Sequence, residues 1–110
     1  RQGVNFSIHS DAPVTPLDPL FTAWCAVNRQ TASGRILGEH EKISVEDALH
    51  AITIGAAFTI KLDHLVGSIE SGKFADFAVL EDNPYETPPE YLKDVGVWGT
   101  VVSGIPFPAV

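Results

Sequence analysis

The spacing of hydrophobic positions along this chain changes from one period to another and back. Residues 4–8 alternate, with Val4, Phe6 and Ile8 on one side and Asn5 and Ser7 on the other. A period of two predicts a strand with one more polar face. His9 and Asp11 continue the polar side if the chain stays extended. Pro13, Pro16 and Pro19 follow. Proline fixes its own φ and pushes the preceding residue out of helix, so a stiff loop is expected to about Leu17. Asp18 is a good N-cap, and Pro19 suits the first helical position. The helix predicted there puts Leu20, Trp24 and Val27 on one face, with Ala23 nearby, and ends near Arg29. Residues 31–40 hold two glycines and read as a loop.

A second helix is predicted from Ser44 to about Lys61. Ser44 caps it, and Glu46 and Asp47 sit where the helix dipole favours negative charge. Leu49, Ile52, Ala56 and Ile60 recur at helical spacing, and Gly55 suits a close packing contact. After Leu62 the pattern turns β-like. Residues 66–69 and 74–80 are short apolar runs with a turn at 70–73 between them. Asp82-Asn83-Pro84 ends the second run, and residues 88–92 fit one helical turn. Residues 95–102 are a further strand, and Ser103-Gly104 turns it into Ile105-Pro106-Phe107. The expected fold is α/β, with a strand–helix part at 1–62 and a β part at 63–110. One strand and two helices do not complete a sheet, so the first part reads as the end of a larger α/β unit.

Length supports one domain with one modest core: there are 110 residues, 45% hydrophobic and 19% charged. Apolar residues spread along the whole length argue against disorder. The net charge of −7, with no run of Lys or Arg, predicts no nucleic-acid partner and no anionic-membrane partner. No stretch approaches the roughly 18 apolar residues that span a bilayer. The N-terminus lacks a charged-then-apolar signal pattern. The single Cys25 has no partner for an internal disulfide, which fits a reducing, cytoplasmic setting. The chain has no Met and begins at Arg1, so a processed product or a piece of something longer is expected.

Few residues offer chemistry. Asp11 stands at the exit of the first predicted strand, where barrel and open-sheet enzymes keep catalytic groups. Cys25 reads as a small buried hydrophobe, since no basic partner or oxyanion site lies near it in sequence. Glu39-His40-Glu41 has metal-ligand composition but precedes a helix cap, and reads as surface charge. His50 and His64 are not expected to be ligands. Gly72-Lys73 is a turn rather than a phosphate loop, because the P-loop's earlier glycine and following helix are missing. Asp76 is expected to order that turn or the strand start by local hydrogen bonds. Trp98 and Phe107 are expected to pack a β-sandwich.

Four stretches carry a family likeness. They are Ile8-His9-Ser10-Asp11-Ala12-Pro13-Val14 with Asp18-Pro19-Leu20; Trp24-Cys25-Ala26-Val27-Asn28-Arg29; Ile43-Ser44-Val45-Glu46-Asp47-Ala48-Leu49 with Thr53 and Ala56-Ala57; and the run from Gly67 to Leu80. The last resembles the Gly-Ser-(Ile/Leu)-x-x-Gly-Lys-x-Ala-Asp signature of the amidohydrolase superfamily. The first resembles its YtcJ-like group of metal-dependent hydrolases. The resemblance implies that residues 1–62 are the last strand and following helices of a (β/α)8 barrel. It implies that 63–110 are C-terminal strands of a small β-sandwich. Asp11 then matches the aspartate that binds the active-site metal and acts as general base, and His9 a substrate or second-shell residue. The implied cofactor is a divalent metal, zinc by preference, and the implied substrate a small molecule with an amide-type carbon–nitrogen bond.

The chain departs from the superfamily pattern. The His-x-His pair after the first barrel strand is missing, and His9-Ser10-Asp11 is not that motif. A barrel alone takes about 250 residues. One carboxylate does not hold zinc, which takes about four ligands. Three readings therefore stand. One is the C-terminal part of a metal-dependent hydrolase, inactive alone, binding no metal stably alone, and self-associating through exposed barrel surfaces. Another is a stand-alone interaction or structural module without catalysis. The third is a small metalloprotein that assembles a site across subunits from His9, Asp11 and the Glu39-His40-Glu41 loop.

Overall fold

Asp18 starts the first helix as its position demands. In the computed structural model, which describes residues 4–8, 18–31 and 33–109, helix α1 spans Pro19–Asn28. The Phe21 N–H donates to Asp18 Oδ1 at 3.2 Å, satisfying an amide that the helix leaves without a partner. The helix ends at Arg29 in a left-handed conformation, φ 53°, with its N–H on the Cys25 carbonyl at 2.8 Å. A side chain there costs roughly 1 kcal/mol, and Arg29 offsets it by donating Nε to the Leu37 carbonyl at 3.0 Å.

Ser44 caps the second helix as expected, its hydroxyl accepting from the Asp47 N–H at 3.0 Å. The helix does not run to Lys61. It divides into α2, Val45–Ile52, and α3, Ile54–Thr59. Thr53 breaks it, with φ −119° and ψ −102°. Its hydroxyl donates back to the Leu49 carbonyl at 2.6 Å. Such back-bonding competes with the helical ladder and bends helices.

The core forms where the buried face of α1 meets two other elements. Leu20, Ala23, Trp24 and Val27 pack with Ala48 of α2 and with Leu92 and Val95. Leu92, fully buried, belongs to a 3-10 turn at Pro89–Asp94. Polar contacts fix that turn to α1. Trp24 Nε1 donates to the Glu90 carbonyl at 2.8 Å, and Asn28 Nδ2 donates to the Pro89 carbonyl at 3.0 Å. Lys93 Nζ lies 4.8 Å from the centre of the Trp24 ring, and Phe21 stacks on that ring at 5.8 Å. The core thus draws residues from both sides of position 62.

The β part is one antiparallel sheet of three strands in chain order: β1 Phe77–Leu80, β2 Val97–Val102 and β3 Ile105–Pro108. Ser103-Gly104 turns β2 into β3 as its sequence predicts, with both residues at positive φ. Register pairs Thr100 with Phe107 and Val102 with Ile105. Strand alternation then sets Trp98, Thr100, Val102, Ile105 and Phe107 on one face. Trp98 and Phe107 are 46% and 53% exposed. The described strands form one sheet, and no second sheet covers these two side chains among the described residues. They project from the face opposite Val79, Gly99 and Val101, where burial is greater.

Two predicted strands are not strands. Residues 4–8 pair with no strand among the described residues. A ladder needs a neighbour, and β1–β3 form their sheet without this segment. Residues 66–69 turn instead, because Gly67 sits at φ +102°. Among the described residues, no helix is long and apolar enough to cross a membrane.

Candidate functional site

Asp11 and His9, the residues singled out for catalysis, metal and substrate, lie outside the described residues. The structure describes what precedes and follows them. Residues 4–8 lie against the α2–α3 break, where Asn5 Nδ2 donates to the Gly55 carbonyl at 3.4 Å. A Cβ built on Gly55 would meet the Phe6 carbonyl oxygen at 2.6 Å, so the two backbones are in direct contact. The close contact suggested by Gly55 is therefore present, and its partner is the segment that leads to His9 and Asp11. On the other side, Asp18 is held by its capping bonds to α1.

Glu39, His40 and Glu41 form an exposed 3-10 turn. Glu39 pairs with Lys42 at 2.7 Å, and Glu41 with Arg29 at 3.7 Å. These are surface ion pairs, worth about 0–1 kcal/mol each. Among the described residues, no group of three or more His, Cys, Asp or Glu side chains is placed to hold a metal. The described part of the chain therefore does not by itself fit the implied zinc, and the three-part site drawn from His9, Asp11 and this loop gains no support from it. His50 and His64 are exposed. Cys25 is half-buried, and burial pushes its thiol up while Lys93 opposes the shift. That is the reverse of an activated nucleophile.

The signature run from Gly67 to Leu80 is architectural in its described contacts. Gly72 turns the chain at φ +91°. Lys73 Nζ donates to Ser68 Oγ at 2.7 Å and pairs with Glu70 at 3.1 Å, and Ser68 also donates to the Glu70 carboxylate. The Ser68 hydrogen bond, followed by Lys73, holds the Glu70 carboxyl below its ordinary range. The sequence reading treated Gly72-Lys73 as a plain turn and missed this three-residue tie. The signal was available, since Ser68, Glu70 and Lys73 alternate donor and acceptor chemistry within one tight turn. Asp76 does accept a structuring bond, but from a distant residue. Its carboxylate takes the Ser103 N–H at 2.7 Å, joining the start of β1 to the β2–β3 turn.

Among the described features, the Gly72-Lys73-Phe74-Ala75-Asp76 turn leads into a small antiparallel sheet. Residues 1–106 match the Amidohydrolase family, and the chain belongs to that family. It is 34% identical over 103 residues to N-substituted formamide deformylase of Arthrobacter pascens, covering 94% of this chain and 19% of that protein. It is 35% identical over 98 residues to putative amidohydrolase YtcJ of Bacillus subtilis, covering 86% of this chain and 18% of that protein. The crystal structure of an amidohydrolase from Thermotoga maritima superposes with a TM-score of 0.71 at 26% identity, over 97% of this chain and 24% of that one. The chain thus spans under a fifth of the length of these two curated relatives.

Proposed function

We propose that this chain is the C-terminal part of a metal-dependent hydrolase that cleaves an amide-type carbon–nitrogen bond in a small molecule. The observation that carries this reading is the match to the family along residues 1–106, together with relatives named a formamide deformylase and an amidohydrolase. Residues 1–62 serve as the last strand and helices of the barrel, and 63–110 as strands of the accessory sandwich. Asp11 is the residue of this chain that would reach the metal. When bound, a divalent ion lowers the pKa of a coordinated water toward about 7. Asp11 would take up a proton from the attacking water and pass it to the leaving nitrogen. His9 contacts substrate or orients a ligand beside it. The lone Cys25 suits a reducing cytoplasm.

The chain alone is inactive on this reading, because one carboxylate supplies one of the roughly four ligands zinc takes. The test uses the longest in-frame polypeptide that ends in this segment. It should release formate from N-phenylformamide or a related N-substituted formamide. Asp11→Asn should lower kcat by about 10²-fold or more, the scale of a general base, while thermal stability holds. Undiminished turnover in that variant removes Asp11 from the chemistry.

A second reading, an interaction module without catalysis, draws on the apolar face of Trp98, Val102, Ile105 and Phe107, each 46% exposed or more. Patches of this kind are commonly covered by a partner. The coding sequence upstream of the Arg1 codon separates the two. An in-frame extension carrying a His-x-His pair supports the hydrolase, and an immediate start signal supports the module.

A further inference from the structure

Among the described residues, β1 and β3 are the edges of the sheet, and their chemistry differs. We propose that Pro106 and Pro108 bar strand pairing along β3 and so keep copies of this chain from joining edge to edge there. The barrier acts on association and owes nothing to the chemistry proposed above.

An edge strand with open donors and acceptors is a template for another chain. The hazard is high on β3. Residues 95–110 hold no charged side chain, and Ile105 and Phe107 are 59% and 53% exposed. Low charge and high apolar content mark segments that stack strand on strand. The register shows where the prolines act. Val102 pairs with Ile105 across the two-residue turn, Thr100 pairs with Phe107, and the Ala109 N–H donates to the Trp98 carbonyl at 2.7 Å. Hydrogen-bonding direction alternates along an antiparallel strand, so positions 105, 107 and 109 bond to β2. Positions 106 and 108 turn their backbone away from it, in the plane of the sheet. Both are proline, which has no N–H, so the outer edge of β3 offers carbonyls without donors there. Two β3 strands meeting antiparallel, with position 106 across from 108, would set lone pair against lone pair. Those carbonyls would lose water without gaining a bond. The other edge keeps its donors. Phe77 and Val79 pair with Val101 and Gly99, and the Glu81 N–H donates to the Gly96 carbonyl at 2.8 Å, so Ala78 and Leu80 direct their N–H groups outward. Asp76, Glu81 and Asp82 flank that edge with negative charge, and a register shift falls at Val79/Leu80. Charges and bulges blunt β1, whereas the uncharged β3 relies on its prolines.

The test compares the full chain with a double variant, Pro106→Thr with Pro108→Thr, which restores both donors. Sedimentation is followed across micromolar concentrations, and amide hydrogen exchange is read at positions 106 and 108 of the variant. Pro84→Thr is the control, since Pro84 lies outside the strands. The double variant should associate about 10-fold more tightly or more than the unmodified chain, the scale of one or two added net hydrogen bonds. Exchange at 106 and 108 should slow as its concentration rises. Contact through the face of Trp98 and Phe107 leaves these in-plane amides open to water, so slowed exchange locates the new contact on the β3 edge. Pro84→Thr should sediment as the unmodified chain does. A second pair, Pro106→Ala with Pro108→Ala, restores the donors with smaller side chains and decides the matter if the threonine pair loses its fold by circular dichroism. Association no tighter than that of the unmodified chain overturns the barrier. So does tighter association with exchange at 106 and 108 independent of concentration, because the contact then lies elsewhere.

Discussion

Leu92→Ala tests whether the Pro89–Asp94 turn is docked on α1 as described. Leu92 is fully buried between Leu20, Ala23 and Trp24 of the first helix and Val95 of its own strand approach. The substitution removes about three methylene-sized groups, worth ~2.4 kcal/mol at ~0.8 kcal/mol each. A residual cavity raises the cost, and Leu→Ala changes in cores run to about 5 kcal/mol. The polar contacts from Trp24 and Asn28 to the Glu90 and Pro89 carbonyls hold the turn in place and resist collapse into the gap. A loss of about 3 kcal/mol is therefore expected, against a total of roughly 5–15 kcal/mol for a domain of this size. Urea unfolding followed by tryptophan fluorescence and far-UV circular dichroism should move the midpoint down by about 2 M, for an m near 1.5 kcal/mol per molar, with m unchanged. Coincidence of the two probes licenses the two-state treatment. A loss under about 1 kcal/mol would refute the reasoning, because it would place Leu92 in solvent and detach the turn from the helix.

Glu70 is held below its ordinary range by Ser68 and then Lys73, so its folded pKa is depressed. Whatever stability it contributes is present above its unfolded pKa and disappears as pH falls through the folded value. A carboxyl-carbon NMR titration should show Lys73→Met moving the Glu70 midpoint upward, and an unmoved midpoint would dissolve the tie. Burial raises the Cys25 thiol, so its thiolate is scarcer than that of free cysteine near pH 8. Iodoacetamide should modify it more slowly in the folded chain than in urea, and more slowly still in Lys93→Met; equal folded and unfolded rates would contradict the shift. The isolated chain should self-associate through the face of Trp98, Val102, Ile105 and Phe107, and Trp98→Asp should weaken that association. Sedimentation showing a clean monomer of the unmodified chain at micromolar concentration would dismiss it.

What the sequence disclosed and what it withheld divide by distance along the chain. The Asp18 and Ser44 caps and the Ser103-Gly104 turn were legible because each is settled within about four residues. Thr53 was not read as a break, although its hydroxyl reaches only to Leu49; helical periodicity across Leu49, Ile52, Ala56 and Ile60 masked it. Periodicity reports which residues share a face and says nothing of whether the helix carrying them is continuous. The bonds from Trp24 to Glu90, from Ser103 to Asp76 and from Asn5 to Gly55 bridge 66, 27 and 50 residues, and no local pattern announces any of them. Asp76 shows the difference in a single side chain. Its type fitted an ordering role, while its partner was set by the hairpin that the sheet brings alongside. The candidate site follows the same rule. Asp11, singled out from its sequence position and family likeness, lies outside the described residues. Gly55 gains its importance only once a backbone fifty residues away is laid against it. A glycine in a helical run is a weak point by propensity, at a cost of about 1 kcal/mol relative to alanine. Its place in the helix is intelligible only when the Phe6 carbonyl occupies the space a side chain would fill.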